Sequence, residues 1–495
     1  MKASPPSLGA VRAIFGLIFS ARWIQSWHQQ HRGQVAALPG PGRRARGRAR
    51  VQGPPAPRRA RRGFYQRIFC LQVTLWYLLF QRLNFDGTLA AVVRDLFEGG
   101  SDRLRRSGRR LSARVRSRST SAYNQARQRI PEEFLQAALV QLRARLLKLV
   151  GRAPHPKGRP RAERRSWQLL DGSTLAMLWT PGLGQSYAPA SNGRGRSDWC
   201  LMRVVVGFCL VSGAVLSAAQ GAILCSEQAL AWRLMAEALP FTIWIGDRNF
   251  GVWSVVAQAL GRQQDVLVRL TRARATKLAR GRCWHSGESR LVRWWPSCHD
   301  QAAPGTVRRP LDGHLIYARV QRASKGIDLW LFTTLDPADF SVAWLVRQYG
   351  LRWRVELHFR AVKTQMHMNR LEVASPAMAR KEFTAGLLAY SLVRAVMYGA
   401  GNRLESGVEL LSFNQARRVL VDWLKDWGRG QGQGKGSLTT WIGTLMAEVQ
   451  YHRLPRRKKR RPSEPRRVRQ RASKFPALRG SRAAARTASL HAKSA

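Results

Sequence analysis

Three features of the sequence predict an α/β protein: a mixed-sheet core with a β-rich insertion, flanked by helical regions and basic, disordered tails. Two apolar runs, residues 167–171 (WQLLD) and 241–247 (FTIWIGD), each end in an aspartate. Residues 262–334 break into short β-branched and aromatic runs separated by Gly, Pro and Ser. On either side, residues 64–97 and 380–450 place apolar side chains at helical spacing.

Residues 1–62 include nine Arg and no acid between positions 41 and 62, amid Pro, Gly and Ala, so they read as a disordered basic arm. Residues 63–150 read as a helical, DNA-binding region. Within it, hydroxyl residues at 119–121 cap a helix that Pro131 stops, and Asn124, Gln125, Arg127 and Gln128 on that helix suit either base and phosphate contacts or a solvated face. Residues 163–261 read as the first part of the core: a strand to Asp171, a hairpin over 204–217, a helix over 226–239 and a strand to Asp247. The insertion, 262–334, contributes strands at 266–270, 291–295, 315–320 and 329–333. A helix restarts at Asp336-Pro337, with an N-cap and a first-position proline, and core helices run through 335–400. Residues 401–450 form a helical C-terminal region, and 451–495 a basic tail rich in Arg, Lys and Pro.

The chain carries 85 Lys and Arg against 28 Asp and Glu, a formal charge of +57. Because that excess runs through the folded body as well as the tails, it points to nucleic acid rather than a membrane surface. Six scattered cysteines without a CxxC pair indicate a reducing compartment, and the spacing of Cys283, His285, Cys298 and His299 matches no usual zinc finger. Residues 13–21 imitate an export signal without a convincing cleavage site. Residues 201–225 are long enough to span a bilayer, but the Ser212-Gly213 break makes them a hairpin.

The acids are few and their positions informative. On an ideal helix Tyr349, Arg352, Glu356 and Lys363 fall in one stripe about 60° wide, with Arg360 close by. Glu356 there is either one half of ordinary i,i+4 ion pairs or a metal ligand whose cationic neighbours grip a polyanion. Phosphoryl transfer on nucleic acid commonly uses two divalent cations held by carboxylates on rigid elements. Asp171 and Asp247, at the ends of apolar strands, could supply them; alone, each could equally be a turn or cap residue.

Together, Asp171-Gly-Ser/Thr, Asp247-x-x-Phe-Gly and Tyr349-x2-Arg352-x3-Glu356-x6-Lys363 resemble the insertion-sequence-4 family of DDE transposases. The resemblance runs from about residue 64 to about 466. It implies a ribonuclease-H-like core interrupted by a β-rich insertion. It implies that Asp171, Asp247 and Glu356 bind Mg2+ or Mn2+ as the catalytic set, and that Tyr349, Arg352 and Lys363, with Arg360 beside them, contact the transposon end. Trp330 resembles the insertion tryptophan that stacks on a flipped base, although on its residues alone it reads first as a core strand aromatic. The implied activity is cut-and-paste transposition on terminal inverted repeats and target DNA by a homodimer on paired ends, in the bacterial cytoplasm at the nucleoid. A nuclease of the same fold that cuts without joining, and a DNA-binding relative without chemistry, are the rival readings.

Overall fold

The helical frame is laid down before the sheet begins. In the computed structural model, the residues described are 11, 14–16, 21–31, 68–104, 110–150, 165–192, 195–322, 325–401, 408–430, 438–454, 481, 484 and 487. The chain divides into two units, Met1–Leu454 and Pro455–Ala495; in the second, Ala484 and Thr487 are helical. Most of the expected basic tail and most of the expected basic arm lie outside the described residues.

Part of that arm is a correction. Helix α1, Ala21–Gln30, is ordered because its Trp23 stacks on Phe134 at 5.2 Å and Trp27 meets the same ring edge-on at 5.1 Å. Aromatic burial of this kind outweighs the ordering cost that the arginine-rich composition suggested would win. Helix α2, Leu71–Leu83, is apolar all round and buried along nearly its whole length, as a core helix must be. Helices α3, Leu89–Phe97, α4, Ser121–Arg129, and α5, Glu132–Val150, follow. Arg127 on α4 was a candidate base or phosphate contact. It is instead buried against Glu382, so it faces the core and not a groove.

The sheet has ten strands in the order β2-β3-β1-β5-β6-β9-β8-β7, with β4 also on β3 and β10 also on β1. These are β1 Ser166–Leu178, β2 Pro189–Asn192, β3 Gly195–Cys209, β4 Val215–Ala222, β5 Thr242–Gly246, β6 Asp265–Arg269, β7 Glu288–Trp294, β8 Leu311–Arg322, β9 Lys325–Thr333 and β10 Arg370–Leu371. The short helix α6, Pro181–Ser186, follows β1. Strands β1, β3 and β4 run antiparallel in sequence, and β1, β5 and β6 run parallel. This is the ribonuclease-H-like arrangement. Residues 201–225 form the β3–β4 hairpin, not a membrane span. Its turn needs Gly213, whose φ is +71° and whose position leaves no room for a Cβ beside His358 and Arg394.

Alternation along the strands sends Leu169, Val204, Val206 and Ile245 into one core and Leu170, Val205 and Trp244 into another. The second is covered by α7, Glu227–Glu237, and α8, Trp253–Leu260. Residues 265–269 are corrected from insertion to core: β6 pairs parallel with β5, and the added strands join through β9 on β6. Between them lies an unforeseen helix α9, Arg272–Ala279, capped by Thr271 and built from good helix formers around buried Ala275 and Ala279.

Asp336-Pro337 does not start the next helix. Asp336 accepts from the Ala338 amide in a turn, and helix α10 begins at Val342 and runs to Gly350. Helix α11 is Arg354–Arg360. The apolar α12, Pro376–Gly401, is long enough to cross a bilayer, but 94% of its apolar window is buried inside the protein. Helices α13, Phe413–Arg429, and α14, Leu438–Tyr451, pack against it.

Two buried charges join the helices across the sequence. Glu382 on α12 is fully buried and bonded to Arg82 of α2, Nε at 2.6 Å, and to Arg127 of α4. Arg417 on α13 donates to the carbonyls of Leu83 and Asn84 at the end of α2, at 2.6 and 2.9 Å, and to that of Gln365.

Candidate active site

Strand register brings the two aspartates together. Leu170 on β1 pairs with Gly246 on β5, the last pair of a parallel ladder. The next residues, Asp171 and Asp247, therefore leave the ladder side by side at the carboxyl ends of two strands, where neighbouring backbones are about 4.8 Å apart. β1 does not end at Asp171, as its sequence suggested. It continues to Leu178 because β3 pairs with it throughout and β10 takes over at Ala176. Asp171 thus sits beside a gap between two parallel partners of one strand.

Burial pushes the Asp171 carboxyl up to about 6, the Gly172 amide pulls it down, and the neighbouring charge of Asp247 pushes it up again. The Gly172 amide lies 2.8 Å from Asp171 Oδ1. Asp247 is fixed by its own turn: Asn249 N donates to Asp247 Oδ1 at 2.8 Å, and Phe250 and Gly251 N donate to its carbonyl at 3.1 Å.

The Tyr-Arg-Glu-Lys segment is helical throughout but not one α-helix. After α10 comes a 3-10 turn, Leu351–Trp353, then α11, then a π-helical turn, Ala361–Gln365. Residues three apart eclipse in a 3-10 turn, which sets Arg352 over Tyr349. Burial holds the Tyr349 hydroxyl up at about 12, against the pull of the Arg352 charge beside it. One α-turn later, Arg352 Nη2 is 3.6 Å from Glu356 Oε1, while Nη1 is 3.8 Å from Asp171 Oδ2. The guanidinium therefore stands between the aspartate pair and the glutamate. The wider π turn carries Lys363 back to β1, where Nζ donates to Ser173 Oγ at 3.1 Å. Ser173 and Asp171 share a face of β1, so Lys363 lies beside the acids. Arg360 is exposed at the end of α11.

Among the described residues no three His, Cys, Asp or Glu side chains converge closely enough to hold one ion. Glu356, with a side chain 70% exposed, lies across Arg352 from the aspartates. The donor set nonetheless suits a hard cation: carboxylate oxygens, with Asp171 desolvated beside a second acid. Cys283, His285, Cys298 and His299 are all exposed in the insertion.

Trp330 belongs elsewhere. It is half-buried, edge-on to Trp284 at 5.4 Å and 4.6 Å from Tyr317 on β8, which accounts for it as a packing aromatic of the insertion. An exposed ring of the insertion is Trp295, 61% accessible, at a cleft of about 400 Å3 lined by Arg274, Lys277, Arg280, Arg293 and Trp294. Sequence reasoning also passed over Glu227 and Asn249. Asn249 Nδ2 donates to Glu227 Oε2 at 2.6 Å, beside Asp247. Ser226-Glu227 reads as an ordinary helix start, and no spacing signal links it to an acid more than fifty residues upstream.

Residues 165–392, which contain all three acids, match the family described as Transposase DDE domain. The matched segment spans β1 to the middle of α12 and includes the insertion. Over 131 residues the chain is 31% identical to the transposase InsG of insertion sequence element IS4 from Escherichia coli strain K12. That alignment covers 26% of this chain and 28% of the relative, so the chain spans little over a quarter of that protein's length. A piggyBac transposase solved by cryo-electron microscopy in a synaptic complex with hairpin DNA aligns over 92% of this chain and 87% of its own. The identity is 10% and the TM-score 0.40.

Proposed function

We propose that the chain is a DNA transposase of the insertion-sequence-4 type, moving an element by strand cleavage and strand transfer. The observation that carries this is the register of β1 and β5. It sets Asp171 beside Asp247 within the segment similar to the DDE family, with the Tyr-Arg-Glu-Lys helix beside them. Asp171, Asp247 and Glu356 would hold divalent cations, Mg2+ or Mn2+. Bound there, such cations activate the attacking oxygen and stabilise the leaving oxygen of a phosphoryl transfer.

The chain's own residues do the rest. Arg352 balances the charge of Asp171 and Glu356 and is placed to meet a phosphate that enters between them. Tyr349, buried beside Arg352, would keep that guanidinium in position. Lys363, pinned to Ser173, and exposed Arg360 offer cationic contacts to the backbone of the strand being cut. Water attacks phosphorus, and the 3′ oxygen leaves and takes up the proton that the water loses. That 3′-hydroxyl attacks phosphorus in the opposite strand, expelling the flanking 3′ oxygen and closing a hairpin. A second water reopens the hairpin and frees the 3′-hydroxyl, and this attacks phosphorus in target DNA and expels a target 3′ oxygen. The basic cleft around Arg280 and Trp295 extends the cationic surface along the insertion. Terminal inverted repeats and target DNA are the expected substrates. Two copies would act on paired ends, since each site handles one, and the nucleoid would be the place of action.

Strand transfer with a pre-cleaved, 3′-hydroxyl end in Mg2+ tests the reading. Joined product is expected. Cutting without joining makes the protein a nuclease, and binding without either leaves a DNA-binding relative.

A further inference from the structure

A fourth carboxylate lies behind the aspartate pair. Glu227 is the first residue of α7, where Ser226 caps the helix by accepting from the Ala229 amide at 3.1 Å. A glutamate in a first turn favours the helix dipole and ordinarily needs no other partner. This one reaches across to the backbone of β1. A Cβ built on Gly172 would lie within 2.7 Å of the Glu227 carboxyl atoms, so the residue after Asp171 must lack a side chain for Glu227 to sit there. Gly172 points to the opposite face of β1 from Asp171, the face that Leu170 shares with α7 and α8. Glu227 therefore supports the site from behind.

Its second contact is Asn249. The Asn249 side chain donates to Glu227 Oε2 at 2.6 Å, and its amide oxygen accepts from Gln228 Nε2 at 2.8 Å. The Asn249 backbone N–H meanwhile holds Asp247 Oδ1 at 2.8 Å. One residue thus links the α7 start to the rotamer of the second aspartate. Arg203, whose Nη1 donates to the Cys225 carbonyl at 2.8 Å, supplies a nearby positive charge.

We infer that Glu227 is a positioning residue of the active site, holding the 247–251 turn through Asn249 so that Asp247 stays in register with Asp171. The role deepens the transposase reading and rests on it for its effect on chemistry. Its effect on the turn does not depend on that reading.

The test is amide hydrogen exchange across 247–251 on the full chain, without DNA or added cation, paired with strand-transfer kinetics. E227A should raise exchange at Phe250 and Gly251 by about tenfold and lower kcat by a similar factor, with end binding unchanged. E227Q, whose amide oxygen still accepts from Asn249, should stay within about threefold of the parent in both. N249A should match E227A, and the double variant should be no worse than either single one. Should E227A fold poorly, G172A displaces the carboxylate without removing it and should raise the same two amides. Parental exchange at both amides in E227A, or in G172A where E227A folds poorly, overturns the inference. So does an E227Q variant as damaged as E227A. Absence of strand transfer by the parent protein, with the exchange pattern as expected, overturns the function proposed above and leaves the support of the turn standing.

Discussion

Asp171 is held at a cost to the fold. Its carboxyl is raised from 3.8 to about 6, first by burial and then, against the pull of the Gly172 amide, by Asp247. A folded acid with a raised value binds its proton more tightly than the unfolded chain does. Stability therefore falls as pH rises from about 4 to about 6 and stays lower above that window. Asp171→Asn removes the burden, so at pH 7 the variant should gain about 1–3 kcal/mol, two pH units at about 1.4 kcal/mol each, trimmed by partial exposure. Equal or lower stability in a denaturant titration would show that the pair is better solvated than its setting implies. Glu356→Gln tests the chemistry: joining should vanish while binding to transposon ends remains. Retained cleavage by that variant would remove Glu356 from the catalytic set. The sequence singled out these acids because so few acids compete for the role, and the β1–β5 register does bring Asp171 and Asp247 side by side. Their support was not legible there: Glu227 and Asn249 matter through contacts across the fold, and each alone resembles a common cap or turn residue.

At the scale of the element, the signature helix changes pitch twice. An ideal α-helix gave the right stripe because the tight 3-10 turn and the wide π turn depart from α geometry in opposite senses. The sequence shows no mark of either, since both are selected by what the helix must touch: Tyr349 under Arg352 at one end, Ser173 under Lys363 at the other. Gly350 was expected to weaken the helix. It keeps a right-handed helical conformation, φ −55°, and a Cβ there meets nothing within 4 Å. Gly350→Ala should therefore stabilise the protein by about 0.5–1 kcal/mol in thermal unfolding. A loss of end binding with that gain would mean that DNA backbone approaches the helix at Gly350. Lys363→Ala should weaken end complexes and reduce their salt slope by about one; an unchanged slope would return Lys363 to a structural bond with β1.

Across the whole molecule, helices at both ends of the chain clamp the core through buried charge. Glu382 is pushed up by burial, but Arg82 and Arg127 outweigh that and hold it below its ordinary range. Its contribution is complete above about pH 4.5 and is lost as pH falls through the lowered value. Glu382→Gln leaves two guanidiniums buried against a neutral amide and should cost about 3–5 kcal/mol at pH 7, with a shallower acid limb than the parent. A loss under 1 kcal/mol would mean that water reaches the cluster. The sequence marked residues 64–97, 119–130 and 380–450 as helical by spacing, yet could not show that a candidate base-reading arginine was a core residue. Periodicity reports which faces are apolar; it does not report which charged side chain finds a buried partner hundreds of residues away. The same limit explains α1, where an arginine-rich neighbourhood concealed two tryptophans that dock on Phe134.

The β1–β5 register also bears on how such a gene can change. Side chains alternate along a strand, so adding or removing one codon between Trp167 and Asp171 turns the aspartate to the α7 face and Gly172 to the site. A two-codon change restores the face but moves Asp171 about 7 Å along the strand from Asp247. Substitutions at neighbouring positions can be absorbed one at a time, whereas in-frame length changes in these few codons have no graded intermediate.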